Sequence, residues 1–133
     1  MNYSFPKSRR LTKEAEFDAV FQLKQSRADR HLVVYAAANS LGHPRLGLVV
    51  SRKVSRRAVV RNRWKRLLRE AFRLLQHELP PLDLVCLPRA GVEPELAPLM
   101  QSLRGLARRL AALPRLQASS AAPAEPAGPE APT

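Results

Sequence analysis

What is scarce in this sequence removes several classes of protein. The 133 residues include one cysteine, Cys86, which excludes a disulfide framework and a Cys-rich zinc site and suits a reducing compartment. No apolar run approaches the roughly 18 residues of a membrane span, and no apolar segment of the secretory type follows the N-terminus. A cytoplasmic location without a membrane partner is therefore expected. Acids number 11 against 23 Lys plus Arg, for a formal net charge of +12. A nuclease acting alone would need clustered carboxylates, His ligands for a metal, or an acid–base His pair. Glu14, Glu16 and Asp18 crowd one helix start, where acids complement the helix dipole. His31, His43 and His77 lie in three separate elements without ligand spacing. Cys86, flanked by Val85 and Leu87, reads as an inert buried thiol. Neither a catalytic residue nor a metal site is expected in the chain itself.

The abundant feature is positive charge, and it is local. Residues 117–133 contain no Lys or Arg, two acids and four prolines, a composition without apolar periodicity that predicts a disordered Ala/Pro-rich tail. Residues 1–116 then form a single domain carrying +14. Within it, residues 51–73 hold ten bases and one acid, Glu70. A soluble domain this basic points to a polyanion, and nucleic acid is the commonest one.

The pattern predicts helix, hairpin, helix, strand, helix. Thr12 is a candidate N-cap for a helix over 13–24, with Phe17, Val20 and Phe21 at i, i+3, i+4. Residues 32–38 and 45–51 read as strands, joined by turn residues 39–44 into an antiparallel hairpin. A helix over 59–78 is stopped by Pro80-Pro81, a buried strand follows at 82–87, and a last amphipathic helix spans 96–113.

In the central helix Trp64, Leu67, Leu68, Ala71, Phe72 and Leu75 form one apolar stripe, so Trp64 reads as core. The opposite side carries Asn62, Lys65, Arg66, Arg69 and Arg73, with Arg61 and Arg63 on the flanks. Like charges at i, i+4 repel and cost helix stability, a cost that phosphate binding offsets better than solvation alone explains. Arg52, Lys53, Arg56 and Arg57 lie in the loop feeding the helix N-terminus, where backbone N–H groups add anion affinity. Arginine forks bind phosphate bidentately and stack on bases. A strand rather than a short helix precedes the basic helix, which argues against a helix-turn-helix and for RNA over DNA.

The run Arg61-Asn62-Arg63-Trp64-Lys65-Arg66-Leu67-Leu68-Arg69-Glu70 resembles the signature helix of the bacterial ribonuclease P protein subunit family. The resemblance extends over residues 9–113, through Phe17 and Phe21, the Val-Val-Tyr35 strand, the Ser51-Arg52-Lys53 lead-in and the Asp83-Leu-Val strand. Where some members carry Gly-Asn before the signature helix, this chain has Ser55-Arg56-Arg57-Ala58, as other members do. The resemblance implies a single-domain α+β sandwich related to a ribosomal-protein domain, with a mixed sheet of about four strands packed with three helices and a left-handed β-α-β crossover. A short extra strand near Ser26–Ala28 would complete that sheet.

The same resemblance implies partners and roles. The catalytic RNA subunit of ribonuclease P, with magnesium ions (Mg2+) held mainly by that RNA, would remove the 5′ leader of precursor tRNA. The protein would hold the RNA subunit through Arg52, Lys53, Arg56, Arg57, Arg61, Asn62, Arg63, Lys65, Arg66 and Arg69, and the leader through Phe17, Phe21 and Tyr35. Aromatic faces suit a leader of variable sequence, because every base can stack. From the residues alone, Phe17 and Phe21 at i, i+4 also read as simple core, and Tyr35 could bury its ring and expose its hydroxyl. A structural ribosomal-type RNA binder would share the basic helix without needing an aromatic cleft, and a protein-only endonuclease would need the carboxylates that are missing.

Overall fold

Alternation along the strand at 32–38 divides the molecule in two. In the computed structural model, which describes residues 5–117, Leu32, Val34 and Ala36 are fully buried on one side of this strand. Val33, Tyr35 and Ala37 are half-buried on the other. The elements run α1 (Glu14–Leu23), β1 (Ser26–Ala28), β2 (Leu32–Ala38), β3 (Arg45–Leu48), α2 (Ala58–Leu75), β4 (Leu82–Pro88), α3 (Leu96–Ala111) and a short α4 (Pro114–Gln117), after a 3-10 turn at Lys7–Arg9. One face of the sheet packs against α2 and α3, through Leu84 and Cys86 against Trp64, Leu68, Phe72, Leu103 and Leu106. The other face carries a smaller core of Leu11, Val20 and Val85, ringed by Phe17, Phe21, Tyr35 and Leu87. The fold is the α+β sandwich with a four-stranded mixed sheet and three main helices, and the expected short strand lies at Ser26–Ala28. The tail expected to be disordered lies, from residue 118 on, outside the described residues.

The hairpin expected from residues 32–51 is not formed. The turn exists, with Leu41 N–H donating to Asn39 Oδ1 at 3.0 Å and Gly42 at φ +82°. The strands on either side of it do not pair. The sheet order is β1-β2-β4-β3, with β4 antiparallel to β2 and parallel to β3. Burial accounts for the order. Nearly every side chain of β4 is buried, on both faces, so it belongs at the centre. The shorter β3, with a charged Arg45 and a side-chain-free Gly47, goes to the edge. The chain from β3 to its parallel neighbour β4 must cross over, and α2 is that crossover.

Element ends differ by small amounts for identifiable reasons. The α1 cap is Lys13 rather than Thr12, because Glu16 Oε1 reaches back to accept the N–H groups of Thr12 and Lys13 at 2.9 and 3.0 Å. Helix α2 stops at Leu75, and a turn with Glu78 N–H on Leu75 O at 2.8 Å buries Leu79 ahead of the prolines.

A polar cluster on the α1 face ties this arrangement together. Arg45 donates to both carboxylate oxygens of Asp83, at 2.9 and 2.7 Å, and to Glu16 Oε2 at 3.2 Å. Asn39 Nδ2 reaches the same Asp83 at 2.8 Å. One guanidinium thus joins β3, β4 and α1, while Asn39 adds the β2–β3 turn. The Asp83 carboxylate beside it raises the Arg45 pKa further, and Glu16 adds to the effect. Glu16 itself is held below its ordinary value of 4.5, first by the Lys13 and Thr12 backbone N–H groups and then by the charge of Arg45. A depressed carboxyl stabilises the fold above its unfolded pKa, and that stability is lost as pH falls through the folded value.

Arg45→Met should cost about 2–3 kcal/mol, because it strands the partly buried Asp83 and Glu16, and thermal denaturation should show a Tm lower by roughly 10 °C. Urea unfolding between about pH 5 and about pH 3 should show wild-type stability falling with pH, and Glu16→Gln should flatten part of that slope.

Candidate RNA interface

Helix α2 docks by the stripe its sequence predicts. Trp64, Leu68, Ala71, Phe72 and Leu75 are buried against the sheet, and Leu67 is half-buried at the margin. The outward side therefore presents Asn62, Arg63, Arg66 and Arg69 to solvent, with Lys65 half-buried beside them. Glu70, the one acid of this helix, is engaged by Arg73 one turn on at 2.6 Å, and that bond holds the Glu70 pKa below its ordinary value. Among the described residues, none of the remaining cations of the face takes part in an ion pair. The charge is left unneutralised by the fold.

The loop before α2 is built to a defined shape. Ser51 Oγ accepts the Lys53 N–H at 3.2 Å, and Ser55 Oγ accepts the Arg57 N–H at 3.1 Å. Arg61 turns back from the first helical turn and donates to the carbonyls of Ser55 and Arg56 at 3.0 and 2.9 Å. Of the basic residues singled out by sequence, Arg61 is thus half-buried and braces the loop, whereas Arg52, Lys53, Arg56 and Arg57 are exposed on it. No side chain caps the N-terminus of α2, so the positive helix end opens onto this cationic loop. Val59, in the first turn of α2 beside these charges, is 65% exposed.

The three aromatics come together on the α1 face of the sheet. Phe21 meets Tyr35 edge to face, with ring centroids 4.9 Å apart and planes at 73°. The Phe17 ring lies on the backbone of β3 at Gly47, so close that a Cβ there would stand 2.7 Å from Phe17 Cε2. All three are half-buried, packed on one side and open on the other. An open pocket of about 210 Å³ adjoins Phe17 at the β3 edge of the sheet, lined by Phe5, Arg10, Leu11, Thr12, Leu46, Leu48 and Arg69 as well. Arg69 belongs to the basic face of α2, so the cationic surface and the aromatic surface meet at this pocket.

Phe5 and Arg10 escaped the sequence reading. Arg10 stacks over the Phe5 ring at 4.9 Å and donates to the Phe5 carbonyl at 2.8 Å. Phe5 packs on Phe72 with ring centroids 5.3 Å apart. Leu11 N–H pairs with Leu46 O at 2.9 Å, which lays the N-terminal segment along the open edge of β3. An aromatic residue in an otherwise basic N-terminal stretch was the available signal.

His31 Nδ1 lies 3.1 Å from Ser102 Oγ and joins β2 to α3. Glu14 and Asp18 are exposed, and Glu16 serves the α1 cap. Cys86 is fully buried, and burial pushes its thiol up to about 12. Among the described residues no group of three or more His, Cys, Asp and Glu side chains could hold a metal ion.

Comparison with known proteins agrees with this geometry. The family model for Ribonuclease P matches residues 5–111. A ribonuclease P protein component of Photorhabdus laumondii is 45% identical over 113 residues, which is 84% of this chain and 95% of that protein. The corresponding protein of Cronobacter sakazakii is 48% identical over 89 residues, covering 67% of this chain and 75% of its own length. Among solved structures, the RNase P protein of Staphylococcus aureus superposes with a TM-score of 0.68 at 30% identity, over 77% of this chain and 95% of that one. The RNase P protein of Thermotoga maritima gives a TM-score of 0.68 at 30% identity, over 75% and 96%. The chain belongs to the bacterial ribonuclease P protein family.

Proposed function

We propose that this chain, a ribonuclease P protein component, serves a catalytic RNA and binds two RNA segments on adjoining surfaces. The α2 face and its loop hold the RNA subunit, through Arg52, Lys53, Arg56, Arg57, Asn62, Arg63, Lys65, Arg66 and Arg69, with Arg61 shaping the loop. The half-open aromatics Phe17, Phe21 and Tyr35 take the single-stranded 5′ leader of precursor tRNA by stacking, which tolerates any base sequence. The RNA subunit performs the cleavage that yields the mature 5′ end. Magnesium ions would be held mainly by that RNA. The setting is the cytoplasm, without membrane or DNA partners, and no described helix is long and apolar enough to cross a membrane.

The observation that carries this reading is the meeting of an unneutralised arginine face with half-buried aromatics at one pocket, through Arg69 and Phe17. A structural ribosomal-type binder would not need aromatic rings left open in this way. The phosphate backbone of each RNA segment supplies most of the affinity, and bases contribute through stacking at the aromatic end.

Reconstitution tests the reading: precursor tRNA and the cognate RNA subunit at low magnesium, with and without the protein. Added protein should raise both cleavage and precursor affinity, and no gain in either would overturn the proposal. If the basic face neutralises about six phosphates, log K for RNA should fall against log salt with a slope of about −4 to −5. Arg66→Ala should weaken RNA affinity about tenfold while shifting Tm by no more than ~2 °C. An unchanged affinity with a lowered Tm would make the face structural.

A further inference from the structure

Gly47 has no conformational reason to be glycine. The described glycines with positive φ are Gly42 and Gly91, and Gly47 sits in regular β3 paired with Val85. Its reason is space. A Cβ at this position would stand 2.7 and 2.9 Å from Phe17 Cε2 and Cζ and 3.1 Å from Leu11 Cβ. Glycine within a strand weakens the strand and marks a close approach. Here the approaching group is the ring of Phe17, which the absent side chain lets rest directly on the β3 backbone. From that position the ring lines the pocket of about 210 Å³ together with Arg10 and Arg69. Phe21 and Tyr35, which pair with each other, do not line it.

We propose that Gly47 is a positioning residue for leader binding: its missing side chain seats the Phe17 ring on β3 and so sets the stacking surface offered to an unpaired base of the precursor leader. The proposal rests on the leader-binding reading of Phe17 given above. It adds that Gly47 acts through Phe17 and through no contact of its own. The chemistry is that of stacking: a base needs a flat, fixed ring face with room beside it, and a ring pushed off its seat by a methyl group presents neither.

The experiment is a double-mutant cycle in the reconstituted holoenzyme, reading the ratio of affinities for precursor tRNA with a leader and tRNA without one. Gly47→Ala and Phe17→Ala should each reduce that ratio at least about fivefold, as loss of one stacked base would. Gly47→Ala placed in the Phe17→Ala background should reduce it no further. An unchanged ratio in Gly47→Ala beside a reduced one in Phe17→Ala overturns the positioning role and leaves the leader reading standing. Two independent losses that add in the double variant also overturn it. An unchanged ratio in Phe17→Ala overturns the leader reading itself, and this proposal with it. If Gly47→Ala alone does not fold, Gly47→Ala with Phe17→Leu should fold, because leucine gives up the colliding ring atoms, and should match Phe17→Leu in the ratio. Failure of that pair to fold would assign the constraint to Leu11 and overturn the proposal.

Discussion

The contact between Arg45 and Asp83 is the point on which the sheet, the crossover and the aromatic surface all depend. The two residues are register partners on β3 and β4, so their bidentate pair pins the parallel pairing of those strands. The remaining guanidinium nitrogen reaches Glu16, whose other carboxylate oxygen caps α1. A displaced Arg45 would therefore loosen an edge strand and the helix that lies over it together. That helix carries Phe17 and Phe21. Position of the aromatics is thus tied to an ion-paired cluster whose members are partly buried, where Coulomb attraction is stronger than at an open surface.

This reliance on polar bracing follows from how the two faces of the sheet differ. The α2 and α3 side buries a large set of leucines together with Trp64 and Phe72 and is held mainly by apolar area. The α1 side buries little beyond Leu11, Val20 and Val85, since its aromatic residues are kept half-open. Rings left half-open add little to a core. Hydrogen bonds at Glu16, Asn39 and Arg45 then supply the order that apolar burial does not.

How much of this could be read from the chain follows the range of each interaction. The basic face of α2 was legible because stripe and charge repeat within one helix, where sequence separation maps directly onto angle. The buried strands 32–38 and 82–87 were legible from apolar runs and alternation. The pairing order was not, since turn chemistry at Asn39 and Gly42 describes a local reversal and says nothing of β4 inserting between the strands. Three-residue β1 is too short for any period, and only family resemblance pointed to it. The cluster of Glu16, Arg45 and Asp83 draws on three distant parts of the chain, and so does the seat of Phe17 on Gly47. At the site, the cationic residues named from spacing share the outward side of α2 and its loop, with Arg61 and Lys65 half-buried. Bracing by Arg61 and the Phe5–Arg10 stack depend on side-chain directions that spacing does not encode.

Arg61 illustrates why a dense cationic helix folds at all without its partner. Its guanidinium spends two N–H groups on the Ser55 and Arg56 carbonyls, which converts one member of a repelling set into a clamp on the loop. Arg73 is likewise engaged by Glu70. These bonds lie at opposite ends of the helix face and moderate the repulsion there, while the central cations form no ion pair among the described residues. Screening by salt lowers the remaining cost in the free protein. The buried stripe from Trp64 to Leu75 is what holds α2 in place in the meantime. Helix stability is therefore borne by one side of the element, so that the exposed side can carry a charge density an isolated helix would tolerate poorly.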